Sequence, residues 1–150
     1  MNLATLEDIL DVLKHRQAHC RELLDLSRRQ NRVIDASDYS NLLGILGQKQ
    51  RILGRLDELK RRYPELGEKW TALRDQGRPQ VRSQCEGIIS ETEAILAELV
   101  QTEKVGADQL IRRRDTTRQQ LESIAQGYQV NDTYLDNVAP FSHRFLDTNR

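Results

Sequence analysis

His15, His19 and Cys20 are the residues of this chain best spaced to do chemistry. On a helix, positions i and i+4 share a face, so the two imidazoles could close on one metal ion with the thiol beside them. A zinc site needs three or four protein ligands. No Glu or His pair with comparable spacing completes the set, and His143 lies close to the C-terminus. The group therefore reads as two surface histidines, with no metal. Cys20 and Cys85 lack paired spacing and read as reduced, buried thiols. The sequence holds no Gly-rich phosphate loop, no Gly-x-Ser-x-Gly and no Cys-x-x-Cys. The reading is of a non-enzyme without a cofactor.

Charge is the second source of chemistry. Arg112, Arg113, Arg114 and Arg118 form the densest basic cluster. Asp108, Asp115 and Glu122 stand three or four residues away, so the face reads as solvated and self-paired. The chain carries 23 Lys+Arg and 23 Asp+Glu, a formal net charge of zero. Nucleic-acid modules depend on unbalanced Lys and Arg against phosphate, which this balance does not supply. A further pattern spans the chain. Arg16, Arg21, Arg28, Arg29 and Arg32 match Glu86, Glu91, Glu93, Glu98 and Glu103. If the helices carrying them run side by side, these charges set register more than stability.

The elements that must position these residues are helices. The 150 residues are 37% hydrophobic, 31% charged and 5% aromatic, with 8 Gly and 3 Pro. That mix excludes a β-sandwich or barrel, which needs more aromatic and turn residues. No stretch approaches the roughly 18–20 apolar residues of a membrane span. Nor does a basic region followed by an apolar run open the chain. A soluble, cytoplasmic protein is the expectation, with no stable membrane insertion and no nucleic acid bound.

Three long segments carry apolar residues at steps of three and four. The first runs from about Thr5 to Ile34, with Thr5 as N-cap and a weak seam between Leu13 and Leu23. Ser37 and Asp38 offer capping oxygens for the second, which reads Leu42, Leu43, Ile45, Leu46, Lys49, Ile52, Leu53, Leu56 and Leu59 and ends near Tyr63-Pro64. Gly44, Gly47 and Gly54 fall together away from the stripe of Leu46, Leu53 and Leu56. They read as a poorly optimised solvent face or as a surface bare enough for another helix. A short helix over Glu65 to Asp75 comes next. Pro79 then suits the start of the third long helix, which continues to about Gln126. The fold expected is an all-α, antiparallel up-down-up bundle or coiled coil of three long helices. A short helix separates the second and third, and an irregular C-terminal tail ends the chain. Residues 1–126 form the bundle and 127–150 the tail.

The third long segment is uneven. Cys85, Ile89, Thr92, Leu96 and Leu99 fill its heptad seam, widened by Ile88, Ile95 and Val100. Farther on, Glu103, Gly106, Arg113 and Thr117 occupy positions that a stable bundle would fill with Leu. Two helices of about 30 residues span about 40–45 Å, whereas the third spans about 70 Å. Its end should project or pack loosely, leaving Leu110, Ile111, Leu121, Ile124 and Tyr128 in need of an apolar partner. The tail adds Tyr134, Phe141 and Phe145. It either docks on the helices or serves as a linear binding element.

The first helix ends in Leu23-Leu24-Asp25-Leu26-Ser27-Arg28-Arg29-Gln30. A short acidic turn succeeds it at Asp35-Ala36-Ser37-Asp38. The next helix reads Leu42-Leu43-Gly44-Ile45-Leu46-Gly47-Gln48-Lys49-Gln50-Arg51-Ile52-Leu53. This pattern resembles the FlgN-like flagellar export chaperones over about residues 5–126. The resemblance implies a cytosolic helical chaperone. Such a protein binds the C-terminal segments of hook-filament junction proteins, keeps them from assembling, and delivers them to components of the type III export apparatus. It also implies that the end of the last helix and the segment after it hold the client, which maps onto Leu110, Ile111, Thr117, Leu121, Ile124, Tyr128 and Tyr134. The other reading of the same surface is a structural or adaptor coiled coil that self-associates as a homodimer.

Overall fold

The computed structural model describes Leu3 to Tyr128. Four helices succeed one another: α1 (Leu6–Asp35), α2 (Tyr39–Arg62), α3 (Leu66–Leu73) and α4 (Pro79–Tyr128). The described residues contain no strand, and the fold is all-α. None of these helices is long and apolar enough to cross a membrane. α4 has 50 residues, which makes it about 75 Å long. Gly127 and Tyr128 thus belong to the helix rather than to the tail. The rest of the tail, with Tyr134 and His143, lies outside the described residues.

Local sequence sets the helix ends. Thr5 caps α1: its hydroxyl accepts from the Asp8 N–H at 3.2 Å, and the Asp8 carboxylate accepts from the Thr5 N–H at 3.0 Å. This reciprocal pair satisfies two donors that the first turn would otherwise leave open. Hydrogen bonding from Thr5 holds the Asp8 carboxyl below its ordinary range. At the other end, the Asp38 N–H donates to Val33 O at 2.9 Å and the Ser37 N–H to Ile34 O at 3.0 Å. That pattern requires a left-handed residue, and Ser37 takes it with φ of 57°. Asp38 alone, not Ser37, then caps α2 by accepting from the Asn41 N–H at 3.3 Å. One tight turn thereby closes α1 and opens α2.

α1 is the helix that the others pack against, and α2 and α4 meet beside it at Lys49 and Glu103 and around one apolar cluster. Two apolar clusters lie along it. Leu6, Ile9, Val12 and Leu13 pack with Cys85 and with the half-buried Leu66, Trp70 and Val81, which joins α3 and the start of α4 to α1. Leu23, Leu24 and Leu26 pack with Ile45 and Ile52 of α2 and Leu99 of α4. Burying each such side chain contributes about 1.5–3 kcal/mol. Between the clusters, Cys20 and Thr92 are buried, and Arg16 is half-buried. Gly77 admits α1 closely, since a Cβ there would collide with Leu6 Cδ1.

Polar partners rise together along α1 and α4. Arg21 meets Glu91 at 3.4 Å, Arg28 meets Glu98 at 2.7 Å, and Asn31 donates to Thr102 O at 3.0 Å. The two ion pairs are exposed, so they align the helices while adding at most about 1 kcal/mol each.

The uneven seam has a different cause from the one the sequence suggests. Glu103 is buried and paired with Lys49, which is 1% exposed. Glu103 also accepts from Ser27 Oγ at 2.5 Å, and Lys49 donates to Gln30 Oε1 at 2.8 Å. Burial pushes the Lys49 ammonium below its ordinary value, an effect the Glu103 carboxylate opposes. Gly106 is buried because α1 comes so close: a Cβ would collide with Asn31 Oδ1. Arg113 donates to Asp35 O at 2.6 Å and to Ser37 Oγ. These three positions are therefore filled, by polar partners instead of Leu. Conversely, Leu96 and Val100, placed in the filled half, are 41% and 54% exposed.

Lys49→Met alone should cost about 3–5 kcal/mol, because it strands a buried carboxylate, while Lys49→Met with Glu103→Leu should recover that loss or exceed it. Urea unfolding of the single and double variants checks this. Gly44, Gly47 and Gly54 each face open space, so Ala there should stabilise by about 0.8–1 kcal/mol. Gly106→Ala should lower the thermal midpoint, since it displaces Asn31.

Candidate functional site

α1 and the turn after it reach α4 only as far as Arg113. Gln109 donates to Asp35 Oδ1 at 2.8 Å, and Arg113 holds the turn through Asp35 O and Ser37 Oγ. Beyond that residue, the hydrogen bonds and ion pairs of α4 among the described residues stay within the helix. Thr116 donates to Arg112 O at 3.0 Å, Arg114 meets Asp115 at 3.3 Å, and Arg118 meets Glu122 at 3.7 Å. The remaining fifteen residues add about 22 Å of helix. The pairing at a spacing of three or four expected for the basic cluster is seen at Arg118, whereas Arg114 pairs with the adjacent Asp115. Arg113 instead fastens α4 to the turn.

The residues singled out from the sequence fall on both sides of that fastening point. Leu110 is half-buried and Ile111 is 40% exposed, just before it. Thr117 is exposed, Leu121 half-buried and Ile124 is 50% exposed, beyond it. Tyr128 is the last residue of α4, and its side chain, like all of Tyr134, is outside the described residues. The overhang therefore presents Leu121 and Ile124 with no other described element against them.

Periodicity alone misses part of the exposed apolar surface. Leu96 stands one heptad before Glu103, so it leaves α4 on the side that meets Lys49 of α2. Val100 is one turn farther along. Across from them Leu46 and Leu53 of α2 are half-buried, while Leu43 and Tyr39 are exposed. A signal was present in the sequence: Lys49 and Glu103 both interrupt apolar stripes, and they carry opposite charge.

His15 hydrogen-bonds Asp11 O through Nδ1 at 2.8 Å, and no group of three or more His, Cys, Asp or Glu among the described residues could hold a metal. Cys20 and Cys85 are free and buried, and burial pushes both thiols above their usual range. A shallow crease of about 350 Å³ between α1 and α2 is lined by Glu22, Asp25, Arg29, Arg51 and Arg55 over Leu26 and Ile52. Its charges face one another across the hairpin and leave no single-sign field for a ligand.

Comparison with known protein families, with curated proteins and with solved structures gives no match.

Amide exchange along α4 should slow sharply on the near side of Arg113 and be fast beyond it, because only the near side is packed. Arg113→Ala should move that boundary back toward Gly106, as read by mass spectrometry of α4 peptides.

Proposed function

We propose that this chain is a FlgN-like flagellar export chaperone of the cytoplasm. On this reading it binds the C-terminal helical segments of hook-filament junction proteins. It prevents their premature assembly and passes them to components of the export apparatus. The three long helices run up, down and up, with α1 shared between the other two.

The observation that carries the reading is the overhang of α4. A helix that outruns its partners by about 22 Å and bears Leu121 and Ile124 offers a replacement surface for an amphipathic segment. Such client segments would otherwise pack on one another. Covering about 600 Å² of apolar client area contributes about 15 kcal/mol gross. Association and ordering costs offset most of it, which leaves reversible binding suited to hand-off. Leu110, Ile111, Thr117, Leu121, Ile124, Tyr128 and Tyr134 are the proposed client contacts. No catalytic step enters this function.

Leu121→Asp with Ile124→Asp should weaken binding of a C-terminal peptide from a hook-filament junction protein at least about thirtyfold, since about 2 kcal/mol or more of apolar contact is lost. Far-UV helicity should stay nearly unchanged. Titration calorimetry and circular dichroism read the two quantities. A stable homodimer indifferent to the peptide would overturn the reading in favour of a self-associating coiled coil.

A further inference from the structure

The outer face of α2 carries no charge over its first half. From Tyr39 to Gln50 every exposed residue is uncharged, in a chain that is 31% charged. Depletion of charge marks the core of a protein interface. The same face exposes Leu43 to 62% and Tyr39 to 50%. At about 100° per residue, Leu43, Gly47, Gln50 and Gly54 lie within about 60° of one another. A Cβ at Gly47 or Gly54 would meet nothing within 4 Å, so the face is open.

This face fits a second copy of itself. A two-fold axis level with the step from Gln48 to Lys49 runs two α2 helices antiparallel. It sets each Leu43 over Gly54 of the other copy and each Gly47 over Gln50. Every projecting side chain then meets a gap. Leu46 and Leu53, half-buried on one flank, come side by side across the axis. In that register Lys60, Arg61 and Arg62, in the last turn of α2, draw level with Asp35 and Asp38 beside the other copy's turn. The antiparallel dipoles of the two helices act in the same sense. Setting Leu43 over Gly47 instead would carry those bases past the turn, so the charges select Gly54.

We propose that α2 pairs with α2 of a second copy in this register, forming a weak, reversible homodimer. A single helix pair belongs with the small interfaces, below about 1,200 Å² in total, which gives a dissociation constant on the order of 100 μM. The pairing accounts for glycines inside a helix that Ala would stabilise. It leaves the end of α4 uncovered and does not rest on the chaperone reading.

The test uses the full chain and sedimentation equilibrium. Leu43 is exposed and Gly54 faces open space, so Leu43→Glu and Gly54→Lys should each keep native helicity by circular dichroism. Each variant alone should associate at least about tenfold more weakly than the native chain, because it sets a charge against an apolar contact. An equimolar mixture of the two should regain association to within about threefold of native, since Glu and Lys then face each other at one contact and Leu43 and Gly54 at the other. A native chain that stays monomeric at about 1 mM overturns the proposal. So do a dimer that neither substitution weakens, folded variants that fail to associate when mixed, and a dimer that Ile124→Asp separates, which would place the contact on α4. None of these results depends on whether a junction-protein peptide binds.

Discussion

One buried ion pair organises this bundle. Lys49 of α2 and Glu103 of α4 meet across α1, with Ser27 and Gln30 of α1 completing their hydrogen bonds. Taking two charges out of water is expensive, and the pair is tolerable only in the one register that supplies those partners. Any slip of α2 or α4 along α1 would strand a charge. The pair therefore specifies an alignment more than it stabilises a fold. The exposed bridges Arg21–Glu91 and Arg28–Glu98 favour the same alignment from the solvent side. α2 and α4 also share the apolar cluster of Ile45, Ile52 and Leu99, but the ion pair is the link between them that tolerates only one register.

The same constraint explains why α4 is uneven. Glu103 and Arg113 answer polar groups on α1, on α2 or in their connecting turn, and Gly106 leaves room for Asn31. Past Arg113 no other described element stands opposite, and the ion pairs among the described residues are local ones such as Arg118–Glu122. Helices so poorly packed draw little stability from tertiary contact, which is where most helical stability arises. On the proposed function, this last stretch of α4 is where a reversible partner binds. Local opening there does not disturb the two apolar clusters beside α1.

Much of the fold could be read from the sequence, because 3.6-residue periodicity and capping chemistry are local signals. The Thr5 cap, the break at Asp35 to Asp38, the start at Pro79 and the greater reach of the last helix all belong to that class. The meaning of Glu103, Gly106 and Arg113 was not legible, since each depends on a residue some 70 positions or more away in α1 or its turn. A seam read one helix at a time cannot distinguish a missing Leu from a satisfied polar partner. For the same reason Leu96 and Val100 look like core residues in sequence, although both are exposed. The overhang was inferable from length alone. Its occupant was not, because a leucine pattern constrains apolar area and leaves chemical identity open.

The order of the two charged partners along the chain carries a consequence for biosynthesis. Lys49 emerges from the ribosome 54 residues before Glu103. The α1–α2 hairpin, closed by a tight turn, can fold while α4 is still being made, since local contacts form first. During that interval the ammonium lacks the Glu103 carboxylate, although Gln30 of α1 can accept from it, and it must stay hydrated. The nascent hairpin is therefore kept ajar around Lys49 and admits its proper third helix, whereas a fully apolar hairpin would close early or pair with a neighbouring nascent chain.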